Sequence, residues 1–136
     1  MGASGHITIA PLPITSYAPV TDEQLRNPDP SDWLMMRGNY EGYGFSPLKQ
    51  IDRTNIRSLQ LVWSRGMETG INQNTPIIHN GVMFLGNPND VIQAIDAVSG
   101  DLLWQYRRNL PDLTKIPSGH WGQRKRSVFL YGDKLY

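Results

Sequence analysis

The sequence predicts an all-β chain that forms part of a β-propeller. First, Thr75 to Trp104 parses as four short strands separated by three turn signals. Second, the strand–turn–strand opening of that unit returns near the end of the chain. The Asn80-Gly81 and Gly132-Asp133 turns stand about fifty residues apart, within the range of propeller repeats. Third, Gly 13 and Pro 10 in 136 residues suit many tight turns better than long helices. One blade cannot bury both of its faces. The expected architecture is therefore one full blade with parts of its two neighbours, behind a short helical N-terminal segment.

Residues 1–20 carry Pro11, Pro13 and Pro19 without a period and read as an extended arm. Residues 21–57 read as short helices and a rim loop. Thr21-Asp22-Glu23-Gln24 has the pattern of a capping box, so a short helix should start there and stop before Pro28. Asn27-Pro28-Asp29-Pro30 is a turn, and Ser31 or Asp32 can cap a second short turn through residues 33–36. Gly38 to Pro47 interleaves glycine with Tyr40, Tyr43 and Phe45. The expected form is an irregular loop with aromatics on the rim, ligand stacking being the alternative. Ile51 to Ile56 is a further turn or short helix.

Residues 58–136 read as propeller strands. Leu59, Leu61 and Trp63 alternate, which predicts a strand over 58–66. The blade spans 75–107. Its strands run from Thr75 to His79, Val82 to Leu85, Val91 to Ile95 and Leu102 to Arg107, with Asn80-Gly81 as a type I′ hairpin turn. Residues 109–122 read as loop. The next blade begins near 126 and reaches Tyr136 inside a hairpin. Unpaired edges on 58–66 and 127–136 should drive assembly.

Composition excludes several classes. A formal net charge of +1 gives no electrostatic case for nucleic acid or an anionic membrane. With Cys 0 there is no disulfide, thiolate metal site or Cys nucleophile. No apolar run approaches the ~18 residues of a membrane span. The first twenty residues lack the basic and apolar regions of an intact signal peptide. The acidic residues are scattered without the spacing of a hard-cation loop, and Gly38, Gly42 and Gly44 lack a nucleotide loop's Lys-Ser/Thr.

Ala94-Ile95-Asp96-Ala97-Val98-Ser99-Gly100-Asp101-Leu102-Leu103-Trp104 resembles the tryptophan-docking motif of quinoprotein dehydrogenases, with Ser99 where Thr is usual. In that motif Trp104 stacks across a neighbouring blade's peptide planes, Gly100 permits the turn and Asp96 caps its N–H groups. Residues 32–34, 40–48, 59–63 and 86–88 are similar, in the same order, to the N-terminal region of PQQ-dependent alcohol dehydrogenases of the methanol/ethanol type. The resemblance implies an eight-bladed propeller and oxidation of an alcohol to an aldehyde with electrons passed to the quinone. It also implies PQQ with Ca²⁺ or a lanthanide, and a periplasmic location. A cytochrome c is a possible electron acceptor. The remainder of the ring, or another chain completing it, would be a partner.

Two cofactor-binding residues follow from the resemblance. Gln73, in Gln73-Asn74-Thr75-Pro76, stands where the family places an acidic residue before the first inner strand. Its amide can bond a quinone carbonyl or carboxylate without repulsion. Arg126, in Arg126-Ser127-Val128-Phe129-Leu130-Tyr131-Gly132-Asp133, stands where the family places an arginine, and a guanidinium pairs with a quinone carboxylate through a planar fork. Without the resemblance, Gln73 is a loop end and Arg126 part of a solvated basic turn. The vicinal Cys pair of methanol dehydrogenases is absent, and His120 and Trp121 lie roughly at its place. The catalytic base and the metal ligands belong to later blades in the family, so no catalytic or metal residue is assigned here. The alternative to a portion of such an enzyme, inactive alone, is a non-enzymatic propeller or interaction module, or a truncated remnant.

Overall fold

The structure is a computed structural model that describes residues 6–9, 17–108 and 127–136. Its centre is the expected blade. Strands β2 (Ile77–His79), β3 (Val82–Asn87), β4 (Val91–Asp96) and β5 (Leu102–Arg107) form an antiparallel meander. Asn80 and Gly81 both take positive φ, 49° and 75°, which the type I′ turn demands. Strand β3 continues past Leu85 to Asn87, and Pro88–Asp90 forms a single 3₁₀ turn to β4.

Strand alternation assigns the two faces. Phe84, Ala94 and Trp104 are successive cross-strand partners, so they share one face. That face meets Val20, Leu34, Val128 and Leu130, which with Ile77, Phe84 and Ala94 make the hydrophobic core. Each fully buried side chain of this size stabilises by about 2 kcal/mol. The opposite face carries Met83 and its partner Ile95, Leu85 and its partner Gln93, and Asn87 and its partner Val91.

The extended arm carries a strand. Within it, β1 (His6–Ile9) pairs antiparallel with β5, His6 opposite Arg107 and Ile9 opposite Trp104. This adds a fifth strand at the outer edge of the blade. No sequence signal marks it, because four residues near prolines offer no period to read.

Helix α1 (Asp22–Arg26) follows the capping box as expected. The Thr21 N–H donates to Gln24 Oε1 at 2.9 Å and the Gln24 N–H to Thr21 Oγ1 at 3.3 Å. The expected cap by Ser31 or Asp32 is corrected. Asp29 instead accepts the Ser31 N–H, at 2.8 Å. Asp32 reaches 47 residues along the chain to the His79 ring, 2.7 Å from Nδ1, and accepts the Asn80 N–H at 2.8 Å. The other ring nitrogen of His79 faces the Ala18 carbonyl at 2.8 Å. Trp33 and Ile78 exchange two backbone hydrogen bonds at 2.8 and 2.9 Å. Segment 18–33 is thus stitched to the free edge of β2.

The same segment meets the second hairpin, β6 (Leu130–Tyr131) with β7 (Lys134–Leu135). Val20 and Gly132 exchange backbone bonds at 2.9 and 2.8 Å. Segment 17–33 therefore straps the blade to the start of the next unit, a role the sequence did not signal.

The strand expected over 58–66 is not formed. A 3₁₀ turn occupies Ile56–Ser58, and residues 59–68 enter no ladder. Alternation of Leu59, Leu61 and Trp63 is a genuine strand pattern, but a strand requires a neighbour to accept its N–H groups. Among the described residues none stands beside it. Leu61 and Val62 are consequently 82% and 81% exposed. The glycine–aromatic stretch is the irregular loop expected, with Tyr40, Tyr43 and Phe45 exposed.

Candidate cofactor edge

The turn between β4 and β5 behaves as its motif demands. Asp96 Oδ1 accepts the N–H groups of Val98 and Ser99 at 2.9 and 2.8 Å. Those bonds hold its carboxyl below the ordinary carboxylate range, the Ser99 N–H acting most. Gly100 sits at φ +78°, where a side chain is strained. The tryptophan over this turn is Trp63, from the segment that precedes the blade, a contact the sequence reading did not assign. A methyl at Gly100 would lie 2.6 Å from Trp63 Cδ2, and the indole N–H donates to the Ala97 carbonyl at 3.3 Å. Trp104 instead lies tilted on Phe84 of its own blade, 6.1 Å between ring centres. A signal for Trp63 was present in the sequence: Leu61-Val62-Trp63 parallels Leu102-Leu103-Trp104.

Trp63 opens a loop that runs to β2 and carries Gln73. The side chains of Trp63, Arg65, Met67, Asn72 and Asn74 face Met83, Leu85 and Ile95 of the blade across a cavity of about 270 Å³. Gln73 is exposed, and across it Asn72 Oδ1 accepts the Asn74 N–H at 2.9 Å. The Asn74 side chain turns inward and donates to the Gly86 carbonyl at 3.1 Å. Gln73 and Asn74 thus point to different tasks, a division that alternation in the sequence did not reveal.

Gln73 is the one predicted cofactor contact within the described residues. Arg126 lies outside them, as do His120 and Trp121. No group of three or more His, Asp or Glu side chains placed to hold a metal occurs among the described residues. The chemistry of Gln73 fits one edge of a quinone: an exposed amide with both a donor and an acceptor.

A second concavity of about 550 Å³ opens on the rim, lined by Arg26, Asp29, Trp33, Glu41, Tyr43 and Phe45 among others. Its lining mixes charges of both signs with the exposed rings of Tyr43 and Phe45.

The family profile for the glucose/ethanol/alcohol dehydrogenase β-propeller domain, a PQQ family, matches residues 33–134. Quinohemoprotein alcohol dehydrogenase ADH IIB of Pseudomonas putida is 37% identical over 113 residues, covering 77% of this chain and 15% of the relative. The 1-butanol dehydrogenase (cytochrome c) of Thauera butanivorans is 41% identical over 82 residues, covering 59% of this chain and 12% of the relative. The solved structure of quinohemoprotein alcohol dehydrogenase ADHIIG from Pseudomonas putida HK5 superposes with a TM-score of 0.72 at 27% identity. It covers 89% of this chain and 18% of that one. The chain thus spans under a fifth of the length of these relatives. With the profile matched over three-quarters of its residues, this chain belongs to the PQQ-dependent alcohol dehydrogenase family and forms an arc of its β-propeller.

Proposed function

We propose that this chain is the N-terminal portion of a PQQ-dependent alcohol dehydrogenase and is inactive alone. The complete ring would oxidise an alcohol to an aldehyde and pass the electrons to the quinone. The observation that carries the proposal is Gln73, exposed just before the inner strand of a blade whose docking turn is fully formed. Gln73 and Arg126 would hold edges of the cofactor. The Gln73 amide donates to a carboxylate or accepts from a protonated oxygen, and the Arg126 guanidinium neutralises a carboxylate. When bound, the quinone supplies the two-electron acceptor. This chain contributes orientation and charge balance, while Ca²⁺ or a lanthanide, the base and the metal ligands come with the later blades.

The ring is completed by further propeller strands, from the rest of a longer chain or from another chain. Relatives named for cytochrome c support a cytochrome c as electron acceptor, and the family supports a periplasmic site of action. The test combines the intact mass of the source protein with quinone absorbance and dye-linked alcohol oxidation. PQQ is added with Ca²⁺ or a lanthanide. A chain of several hundred residues that takes up the quinone and turns over alcohol is expected. A 136-residue product with no quinone uptake would replace this reading with a non-enzymatic propeller module or a remnant.

A further inference from the structure

The loop that presents Gln73 is gripped on both sides of it. Three residues before, Gly70 lies against Pro88 so closely that a methyl there would stand 2.6 Å from Pro88 Cβ. One residue after, Asn74 Nδ2 donates to the Gly86 carbonyl at 3.1 Å. Further back, Glu68 pairs with Arg107 of β5. All three attachments end on the blade, two of them at the end of β3 and the turn that follows it.

That connection is itself anchored. Pro88 and Asn87 are fully buried. Asn87 Nδ2 donates to Gln93 Oε1 at 3.1 Å, and Gln93 Nε2 donates to Gln105 Oε1 at 2.7 Å. An amide ladder therefore crosses three strands and terminates beneath the point where the loop docks. These two bonds tie the end of β3 to β4 and β5.

We propose that Asn74 is a positioning residue. Its bond to Gly86, together with the Gly70–Pro88 contact, transmits the rigidity of the blade to the loop and holds the Gln73 amide ready for the cofactor. The proposal rests on the reading of Gln73 as a cofactor contact. The physical reason is preorganisation. A loop that must be ordered on binding spends interaction energy on its own immobilisation, whereas a pinned loop does not. The direction of the Asn74 amide is determined. Reversing it would set its oxygen against the Gly86 oxygen, and Asp at this position would do the same with a charge.

The test uses the assembled dehydrogenase carrying this chain, without cofactor, titrated with PQQ. Binding is read from quinone absorbance and tryptophan fluorescence, and melting of the unloaded protein is followed in parallel. Gln73→Ala and Asn74→Asp are each expected to weaken PQQ binding about tenfold, the scale of one lost hydrogen bond. Because Asn74 acts through Gln73, the double variant should bind as weakly as either single one and no more. Gly70→Ala, which forces the loop off Pro88, should reproduce the loss and carries the comparison if Asn74→Asp does not fold. Wild-type binding by both Asn74→Asp and Gly70→Ala, or losses that multiply to about a hundredfold in the double variant, would overturn the positioning role while leaving Gln73 as a contact. Unchanged binding by Gln73→Ala would remove the contact and the positioning role together.

Discussion

Leu59–Trp63 and Leu102–Trp104 have nearly the same apolar pattern and opposite fates. The second lies in β5, with β4 on one side and β1 on the other. The first enters no ladder and exposes Leu61 and Val62. The difference is in what stands beside each segment. Alternation creates a face that can be buried, but only a neighbouring backbone satisfies the N–H and C=O groups that define a strand. Trp63 remains docked regardless, because its partner Gly100 belongs to the blade. Side-chain docking and strand pairing are therefore separable in this fold.

Substitutions can drive the two segments further apart. The largest loss in the blade is expected at the junction that secures β2. His79→Ala leaves the nearly buried Asp32 carboxylate without its ring partner and should cost about 3 kcal/mol. Urea denaturation would measure it. Gly100→Ala should follow at about 2–3 kcal/mol, since it places a side chain at positive φ and pushes Trp63 away. Its specific signature is a shift of Trp63 emission with Trp104 unaltered, seen by comparing single-tryptophan variants. Equal disturbance of both would mean that the turn is not the docking surface of Trp63 alone.

An acid titration sharpens the comparison at the turn itself. The Asp96 carboxyl is depressed by the N–H groups of Ser99 and Val98. Its contribution is therefore present above the ordinary carboxylate pKa and is lost as pH falls through the lower, folded value. The amide resonances of Val98 and Ser99 should hold their positions to pH below the usual carboxylate range and then move. In Asp96→Asn this transition should be absent. The smallest effect is expected at Leu61→Ser, below about 0.5 kcal/mol in this chain because the side chain is already solvated. The same change should weaken assembly of the ring, read by sedimentation.

The blade was legible because its information is local. Asn80-Gly81, Asp96 and Gly100 specify turns by their own backbone preferences, and the strands between them alternate. The capping box at Thr21 was legible for the same reason. What escaped was long-range. Asp32 looked like a cap, and nothing nearby in sequence signals His79. β1 needed the edge of β5 to become a strand. For the proposed site, Gln73 came from a matched position, whereas nothing nearby in sequence signals the bond from Asn74 to the Gly86 carbonyl twelve residues on.

Hydrogen exchange across residues 59–63 tests most directly whether this chain is an arc awaiting its neighbours. The amides would be followed in the isolated chain and in the longer protein or complex that carries it, with β4 as the internal reference. We expect fast exchange at 59–63 beside protected β4 in the isolated chain, and protection of both in the completed ring. Equally fast exchange at 59–63 in the completed assembly would contradict this account, because no strand would then have been waiting there to be paired.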